Sequence, residues 1–337
     1  MLAQSTILEQ TAKRARDRFG DGVVAVLMGG MSPERPISLK TGAGVVEALR
    51  ARGYRVLEVD VGRDLPTRLR EQDVDVAFNC LHGTYGEDGC VQGLLEFLGI
   101  PYTHSGVRAS AMALDKVTSK RLIEHIGLPT ADWVAVRFQE SDSVEQVALS
   151  IETDLEFPMV VKPATGGSSQ GMSLVSTPQE LRGALTKART VDSMILCEEQ
   201  LRGLEVTVPV VEGADGNGIA LPVVAILPKE GWFDFDNKYT KGNTDYQVPA
   251  QLDEDLFEAL QDLAVTCHDA HGCHGVSRVD FILDEELGPQ ILEINTVPGM
   301  TPTSLVPMAS QEVGVDYPTL CEALLGFARL HTAGGPA

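Results

Sequence analysis

Residues 23–30 read VVAVLMGG. A run of apolar residues with no polar position to mark an outward face describes a strand covered on both sides, and two glycines then free the backbone to turn. Strands covered on both faces belong to parallel sheets flanked by helices. The flanking sequence agrees. Its spacing predicts a helix over Ile37–Arg50, strands over Arg55–Val61 and Val74–Phe78, and a helix over Cys90–Leu98. Strand–helix alternation of this kind reads as a parallel α/β unit. Ile100-Pro101-Tyr102 opens one more short extended piece, and Ser105-Gly106 closes the unit.

Beyond it the pattern changes. A helix is predicted over Ala109–Ile126, stopped by Gly127 and Pro129, followed by strands at Trp133–Arg137, Met159–Lys162 and Met194–Glu198. Thr177-Pro178-Gln179-Glu180 is a capping box with proline at the first helical position, so a helix should run to about Ala188. Strands follow at Glu205–Val211, Ile219–Ile226, Val279–Leu283 and Gln290–Ile294, with helices over Asp253–His271 and Tyr317–Leu330. Gly231–Ala250 is polar and aperiodic, and long enough to predict a functional loop. At the start, Ile7, Leu8, Ala12 and Ala15 recur at helical spacing among charges, which predicts a short surface helix rather than a secretory or transit segment.

The chain has 337 residues, 27 basic against 48 acidic, for a formal charge of −21, and 43% of it is hydrophobic. That supports more than one packed core and argues against nucleic acid as the main partner, since phosphate backbones need concentrated Lys and Arg. Six cysteines without a Cys-x-x-Cys pair read as reduced thiols in a cytosolic protein. Leu221–Leu227 is about the longest apolar run, far short of a membrane span.

Neither a Gly-x-x-x-x-Gly-Lys-Ser/Thr loop nor a Gly-x-Gly-x-x-Gly turn is present, so a nucleotide would be held by other means. Val161–Met172 (VKPATGGSSQGM) runs from a strand-end lysine into glycines and serines, a loop that can wrap phosphates with N–H groups and hydroxyls. Arg278 and Asp280, and Glu293 and Asn295, sit at alternate positions, so each pair shares one face of its strand. Hard oxygen donors converging from adjacent strands suit Mg²⁺ with a polyphosphate. Near Asn295, the Gly299 N–H beside an arginine can serve as an oxyanion hole, and Ser304 can cap a helix whose N-terminus attracts a carboxylate. Cys267–His274 (CHDAHGCH) has the residue types of a zinc site, but its first part lies along a helix, and buried structural side chains are the simpler reading.

With these motifs in order, the chain resembles the D-alanine–D-alanine ligases of the ATP-grasp superfamily from about Val23 to Phe327. The resemblance rests on Leu27–Gly30 with Ser32–Arg35, Leu81–Gly83 with Gly86–Gly89, Leu114–Lys116 with Ser119-Lys120, and the Val161–Met172 loop. Asp236–Tyr239, Arg278–Asp280, and Glu293–Thr296 with Pro298–Met300 complete it. It implies a three-part α/β architecture: residues 1–106 as a substrate-binding α/β domain (1–22 an extra helix), 107–200 as a central ATP-grasp domain, and 201–337 as a C-terminal one with a mobile loop at 231–250. It implies a cytoplasmic enzyme of peptidoglycan precursor synthesis, a homodimer that uses ATP, two D-alanines and two Mg²⁺ ions, with Mn²⁺ able to substitute.

The same resemblance implies residue roles. Lys116 and Lys162 would contact the ATP phosphates, with Ser168 and Ser169 in the phosphate loop and Lys238 above it. Glu198 and the backbone near Leu201 would hold adenine, and Glu205 the ribose. Asp280, Glu293 and Asn295 would bind the metal ions. Glu34 and His82 would position the first D-alanine, Arg278 and Gly299 the oxyanion, and Ser304 and the Leu305 N–H the carboxylate of the second. Ser168 and Tyr239 would bridge to Glu34 and close the loop. Pro36, Gly166 and Phe235 depart from the usual pattern without removing any of these groups, Pro36 by taking away a backbone donor near Glu34. D-serine or D-lactate acceptors are the nearest alternatives, and Tyr239 rather than His favours D-alanine. A catalytically silent nucleotide sensor, or a nicotinamide oxidoreductase built on the first unit, would leave most of these residues without a role.

Overall fold

The computed structural model describes residues 2–167, 170–229 and 243–332. Ser168, Ser169, Phe235, Lys238 and Tyr239 lie outside them. The first helix, α1, spans Leu2–Phe19, and β1 spans Val23–Met28 with every residue buried. Then come α2 (Arg35–Ala51), β2 (Arg55–Asp60), α3 (Leu65–Glu71), β3 (Val76–Asn79) and α4 (Cys90–Leu98). The sheet is parallel in the order β2-β1-β3, with Val24 paired to both Val56 and Val76. Alternation along β1 feeds two cores. Val24, Val26 and Met28 face one with Val45 and Leu49 of α2, while Ala25 and Leu27 face the other with Leu69 and Leu95.

Helices α5 (Val107–Leu114) and α6 (Lys116–His125) lead into β4 (Trp133–Arg137), α7 (Val144–Asp154), β5 (Met159–Pro163), β6 (Ser173–Val175), α8 (Pro178–Arg189) and β7 (Met194–Glu199). These strands form an antiparallel sheet in the order β4-β7-β5-β6. Val161, Ile195 and Cys197 pack against Ile151, Leu181 and Leu185 of α7 and α8. The third sheet uses β8 (Gly203–Glu212), β9 (Gly218–Ala220), β10 (Val224–Pro228), β11 (Thr244–Gln247), β12 (Val276–Asp284) and β13 (Gly288–Asn295). Its order is β11-β10-β8-β12-β13, all antiparallel, with β9 beside β8. Helices α9 (Glu254–His271), α10 (Leu305–Glu312) and α11 (Tyr317–Gly326) complete the described elements.

Four expectations need correction. The single helix over Ala109–Ile126 is two, because Asp115 takes extended backbone (φ −79, ψ 97) and its carboxylate accepts from the N–H groups of Val117 and Thr118. An Asp N-cap starts a new helix and aims Lys116 along a new axis. The strand over Ile219–Ile226 is interrupted at Leu221–Val223, where Pro222 has no N–H to give a ladder. Within the stretch 231–250, residues Thr244–Gln247 are a strand paired to β10, not loop. Finally, α1 is not peripheral. Ile7, Leu8, Ala12 and Ala15 are buried in the same core as Leu320, Ala323 and Leu324 of α11. A methyl group on Gly326 would lie 2.1 Å from the Thr11 carbonyl oxygen, so the two helices meet backbone to backbone there. Glu322 of α11 ties the contact at its edge, accepting from Arg16 at 2.7 Å, Arg52 at 2.9 Å and the Tyr54 hydroxyl at 2.8 Å.

Candidate active site

The antiparallel register of β12 and β13 sets the centre of the site. It places Arg278 opposite Asn295 and Asp280 opposite Glu293, so the two alternate-position pairs read from the sequence become one four-residue patch. Asp280 is 6% exposed and fully engaged: Arg278 donates to both its oxygens at 2.8 and 2.7 Å, Thr207 of β8 at 2.5 Å and the Asn295 amide at 3.0 Å. Such a network fixes the orientation of the carboxylate. Lys116, first residue of α6, reaches Glu293 at 3.5 Å and donates to the Gly166 carbonyl at 2.8 Å. Its own N–H donates to the Ala164 carbonyl at 3.0 Å, binding α6 to the loop after β5.

Two cavities meet at this patch. One of about 190 Å³ lies between the second and third sheets, lined by Lys162, Glu198, Leu201, Glu205, Asp280 and Glu293 among others, with apolar walls from Val160, Leu174, Ile282 and Leu292. The other, of about 650 Å³, is lined by Glu34, His82, Arg278, Asn295, Gly299, Ser304 and Leu305 among others. Lys116, Gly166, Gly167 and Glu293 line both, so the floor of one opens onto the floor of the other. Every described residue assigned a role from the sequence lines at least one of them.

In the larger cavity, Glu34 stands at the N-cap of α2, where its N–H donates to the Ser32 hydroxyl at 3.2 Å while Ser32 donates to the His82 carbonyl at 2.7 Å. Its carboxylate lies between two glycines: a methyl group would come within 2.2 Å of it from Gly83 and 2.7 Å from Gly167. The phosphate-type loop therefore touches Glu34 across the cavity. Pro36 proves harmless to the fold, because first-turn N–H groups have no partner within a helix. Gly166 has its reason in the backbone, with a φ of +111 that side-chain-bearing residues rarely adopt.

His82 is buried with its Nε2 3.2 Å from the Thr41 hydroxyl. Burial first, and then the Arg278 charge, bring its pKa down to about 4, so it is a neutral hydrogen-bonding group near pH 7. Ser304 occupies the N-cap of α10, yet its hydroxyl turns back to Thr301, accepting from the Thr301 N–H at 3.0 Å. The first-turn N–H groups, Leu305 among them, are thus left to the cavity.

One residue of the cavity gained no role from the sequence. Glu87 accepts from the Gly83 N–H at 2.6 Å, and burial together with the nearby Glu34 charge pushes its carboxyl up to about 8. It sits within a quoted motif, but the signal that matters, a second carboxyl close by, exists only once the chain is folded. The Cys267–His274 segment serves packing: His271 pairs with Ser119 at 2.9 Å and with the Cys267 carbonyl at 2.8 Å, and His268 pairs with Ser277 at 2.7 Å. Among the described residues no three His, Cys, Asp or Glu side chains are grouped to share an ion.

Comparison with known proteins gives two family matches, described as D-ala D-ala ligase N-terminus over residues 64–105 and D-ala D-ala ligase C-terminus over residues 122–326. The chain is 44% identical over 307 residues to a D-alanine–D-alanine ligase of Pelotomaculum thermopropionicum, covering 90% of this chain and 96% of that one. It is similar to a solved D-alanine–D-alanine ligase of Bacillus anthracis in complex with ATP, at 30% identity and a TM-score of 0.77, over 91% of this chain and 97% of that one. It is also similar to the VanG D-Ala:D-Ser ligase of Enterococcus faecalis, at 27% identity and a TM-score of 0.77, over 91% and 99% of the two chains.

Proposed function

The chain belongs to the D-alanine–D-alanine ligase family, and from that premise we propose how its two joined cavities carry out the ATP-dependent joining of two D-alanines for peptidoglycan precursors. The smaller cavity takes ATP. Its apolar walls enclose the flat base beside Glu198 and Leu201, and Glu205 meets the ribose. Lys162 and Lys116 face the phosphates, and the terminal phosphate reaches the junction where both cavities share Lys116, Gly167 and Glu293. Ser168, Ser169, Lys238 and Tyr239 keep the roles implied by the motifs, as phosphate contacts and closure groups.

The opposed carboxylates of Asp280 and Glu293, with the Asn295 amide oxygen beside them, are a hard-oxygen donor set that fits Mg²⁺ once Arg278 turns from Asp280 to the oxyanion. These three would hold the metal, which when bound supplies charge neutralisation on the transferring phosphoryl group. The larger cavity takes both amino acids. Glu34 pairs with the ammonium group of the first and His82 helps orient it. The carboxylate oxygen of the first D-alanine forms a bond to the γ-phosphorus as the bond to ADP breaks, giving an acyl phosphate. The second D-alanine, its carboxylate on Ser304 and the Leu305 N–H, attacks the acyl carbon through its deprotonated amine. Arg278 and the Gly299 N–H stabilise the tetrahedral oxyanion, and phosphate leaves. Exclusion of water protects the acyl phosphate, and the loop touching Glu34 through Gly167 supports closure there.

The three sheets support a division into residues 1–106, 107–200 and 201–337, and homodimerisation completes the proposal. No helix among the described residues is long and apolar enough to cross a membrane.

The observation that carries this reading is the floor that the two cavities share at Lys116 and Glu293, with Asp280 paired across from Glu293. Incubating the protein with ATP, Mg²⁺ and D-alanine should yield D-alanyl-D-alanine and phosphate in equal amounts. Glu293→Gln should lower kcat at least about a hundredfold while leaving the melting temperature within a few degrees. Phosphate release indifferent to D-alanine would sink the assignment. Offering D-serine or D-lactate with D-alanine tests acceptor choice, and a higher kcat/KM for either would replace D-alanine as the second substrate.

A further inference from the structure

Behind the smaller cavity, Glu198 is 3% exposed and is held by two ammonium groups, Lys162 at Oε1 and Lys120 at Oε2, the latter at 2.7 Å. The two lysines are anchored differently. Lys120 is 1% exposed and also donates to the Thr130 hydroxyl at 2.7 Å and the Ala131 carbonyl at 3.4 Å. Thr130 is itself fastened to the Ile291 carbonyl of β13 at 2.7 Å. Lys162 lines the cavity, and Glu198 is its one ion-pair partner among the described residues.

We propose that Lys120 is a positioning residue for nucleotide binding: it stays on Glu198 as a permanent counter-charge while Lys162 leaves that carboxylate for a nucleotide phosphate. The inference rests on the nucleotide reading of the cavity. A buried carboxylate stripped of its partner is strongly disfavoured, so a lysine can be released from Glu198 only if another remains. Lys162 can swing away and strand nothing but Glu198. Movement of Lys120 would also leave the Thr130 hydroxyl and the Ala131 carbonyl without their donor. After the exchange Lys120 and Glu198 balance one to one, and Oε1 faces the cavity as a free acceptor. The other charged groups around the pair do not replace Lys120: Glu124 acts on it from its own helix, Glu199, Glu205, Asp280 and Glu293 line the cavity with the same sign as Glu198, and Lys116, the cavity's other cation, is paired with Glu293.

The test is ATP binding by calorimetry in buffers of differing ionisation enthalpy, with steady-state kinetics, on the full chain. Lys120→Met should raise KM for ATP by about 10- to 100-fold and change kcat at saturating ATP by less than about threefold. It should also make binding near pH 7 take up about one proton, as Glu198 protonates once Lys162 departs, whereas the unaltered protein takes up none. Thr130→Val keeps both charges but loosens the anchor, and should raise KM for ATP by about 3- to 10-fold. A folded Lys120→Met protein with unchanged KM and no proton uptake overturns the proposal. If that variant does not fold, an unchanged KM in Thr130→Val overturns it. Failure of the unaltered chain to bind ATP overturns the cavity reading as well, so the two failures are told apart.

Discussion

Glu87 shows what a single side chain contributes. Its carboxyl is raised to about 8 by burial and the Glu34 charge, against an ordinary value near 4.5. A raised acid stabilises the fold fully below its unfolded pKa and progressively less as pH rises towards the folded one. Glu87→Gln keeps an acceptor for the Gly83 N–H and removes the ionisation. The variant should therefore melt at about the same temperature as the parent at pH 5, and above it by a margin that widens up to pH 8. A margin constant with pH would refute the shift. His82 works in the other direction. Its pKa, depressed to about 4, is a stabilisation present above pH 6.5 and lost as pH falls towards 4. The types and spacing of Asp280, Glu293 and Asn295 were legible because alternation along a strand is visible in one dimension. Glu87 was not, because its character comes from a neighbour distant in sequence. The same holds for Ser304, whose position at a helix start was readable while the turn of its hydroxyl towards Thr301 was not.

Among the elements, the break at Asp115 matters most. Apolar spacing carries on across it, so periodicity alone gives one long helix, and only the side-chain acceptor for two N–H groups reveals two. Asp115→Ala should cost about 1 kcal/mol in urea denaturation. It should also raise KM for ATP several-fold, because Lys116 is the first residue of the helix that Asp115 starts. The parallel sheet, by contrast, was readable almost residue for residue, since β1 is apolar throughout and its ends are marked by glycine. Contact between α1 and α11 was hidden. Each shows an ordinary apolar stripe, and nothing local says that the stripes belong together. Gly326→Ala tests that contact, because the added methyl meets the Thr11 carbonyl. Overpacking there should destabilise the protein by about 1–3 kcal/mol in denaturant titration.

For the whole molecule, charge is the governing quantity. A formal charge of −21 means that folded chains repel themselves as well as each other. Raising NaCl from about 20 to about 300 mM should therefore raise the melting temperature by a few degrees, while buried pairs such as Lys120–Glu198 stay nearly unscreened. The same salt should speed ATP association, since the carboxylates lining the two cavities outnumber Lys40, Lys116, Lys162 and Arg278 and screening weakens the repulsion of an anionic nucleotide. A melting temperature that falls with salt would show that favourable surface pairs outweigh the repulsion.

The docking of α1 on α11 has a consequence for biosynthesis. The ribosome makes Leu324 roughly three hundred residues after Leu8, an interval of about 15–60 s at ordinary elongation rates. Throughout that time the greasy side of the first helix has no mate, and a nascent chain halted before Tyr317 never acquires one. Such fragments should be the ones that bind chaperones or are degraded, however complete their catalytic residues.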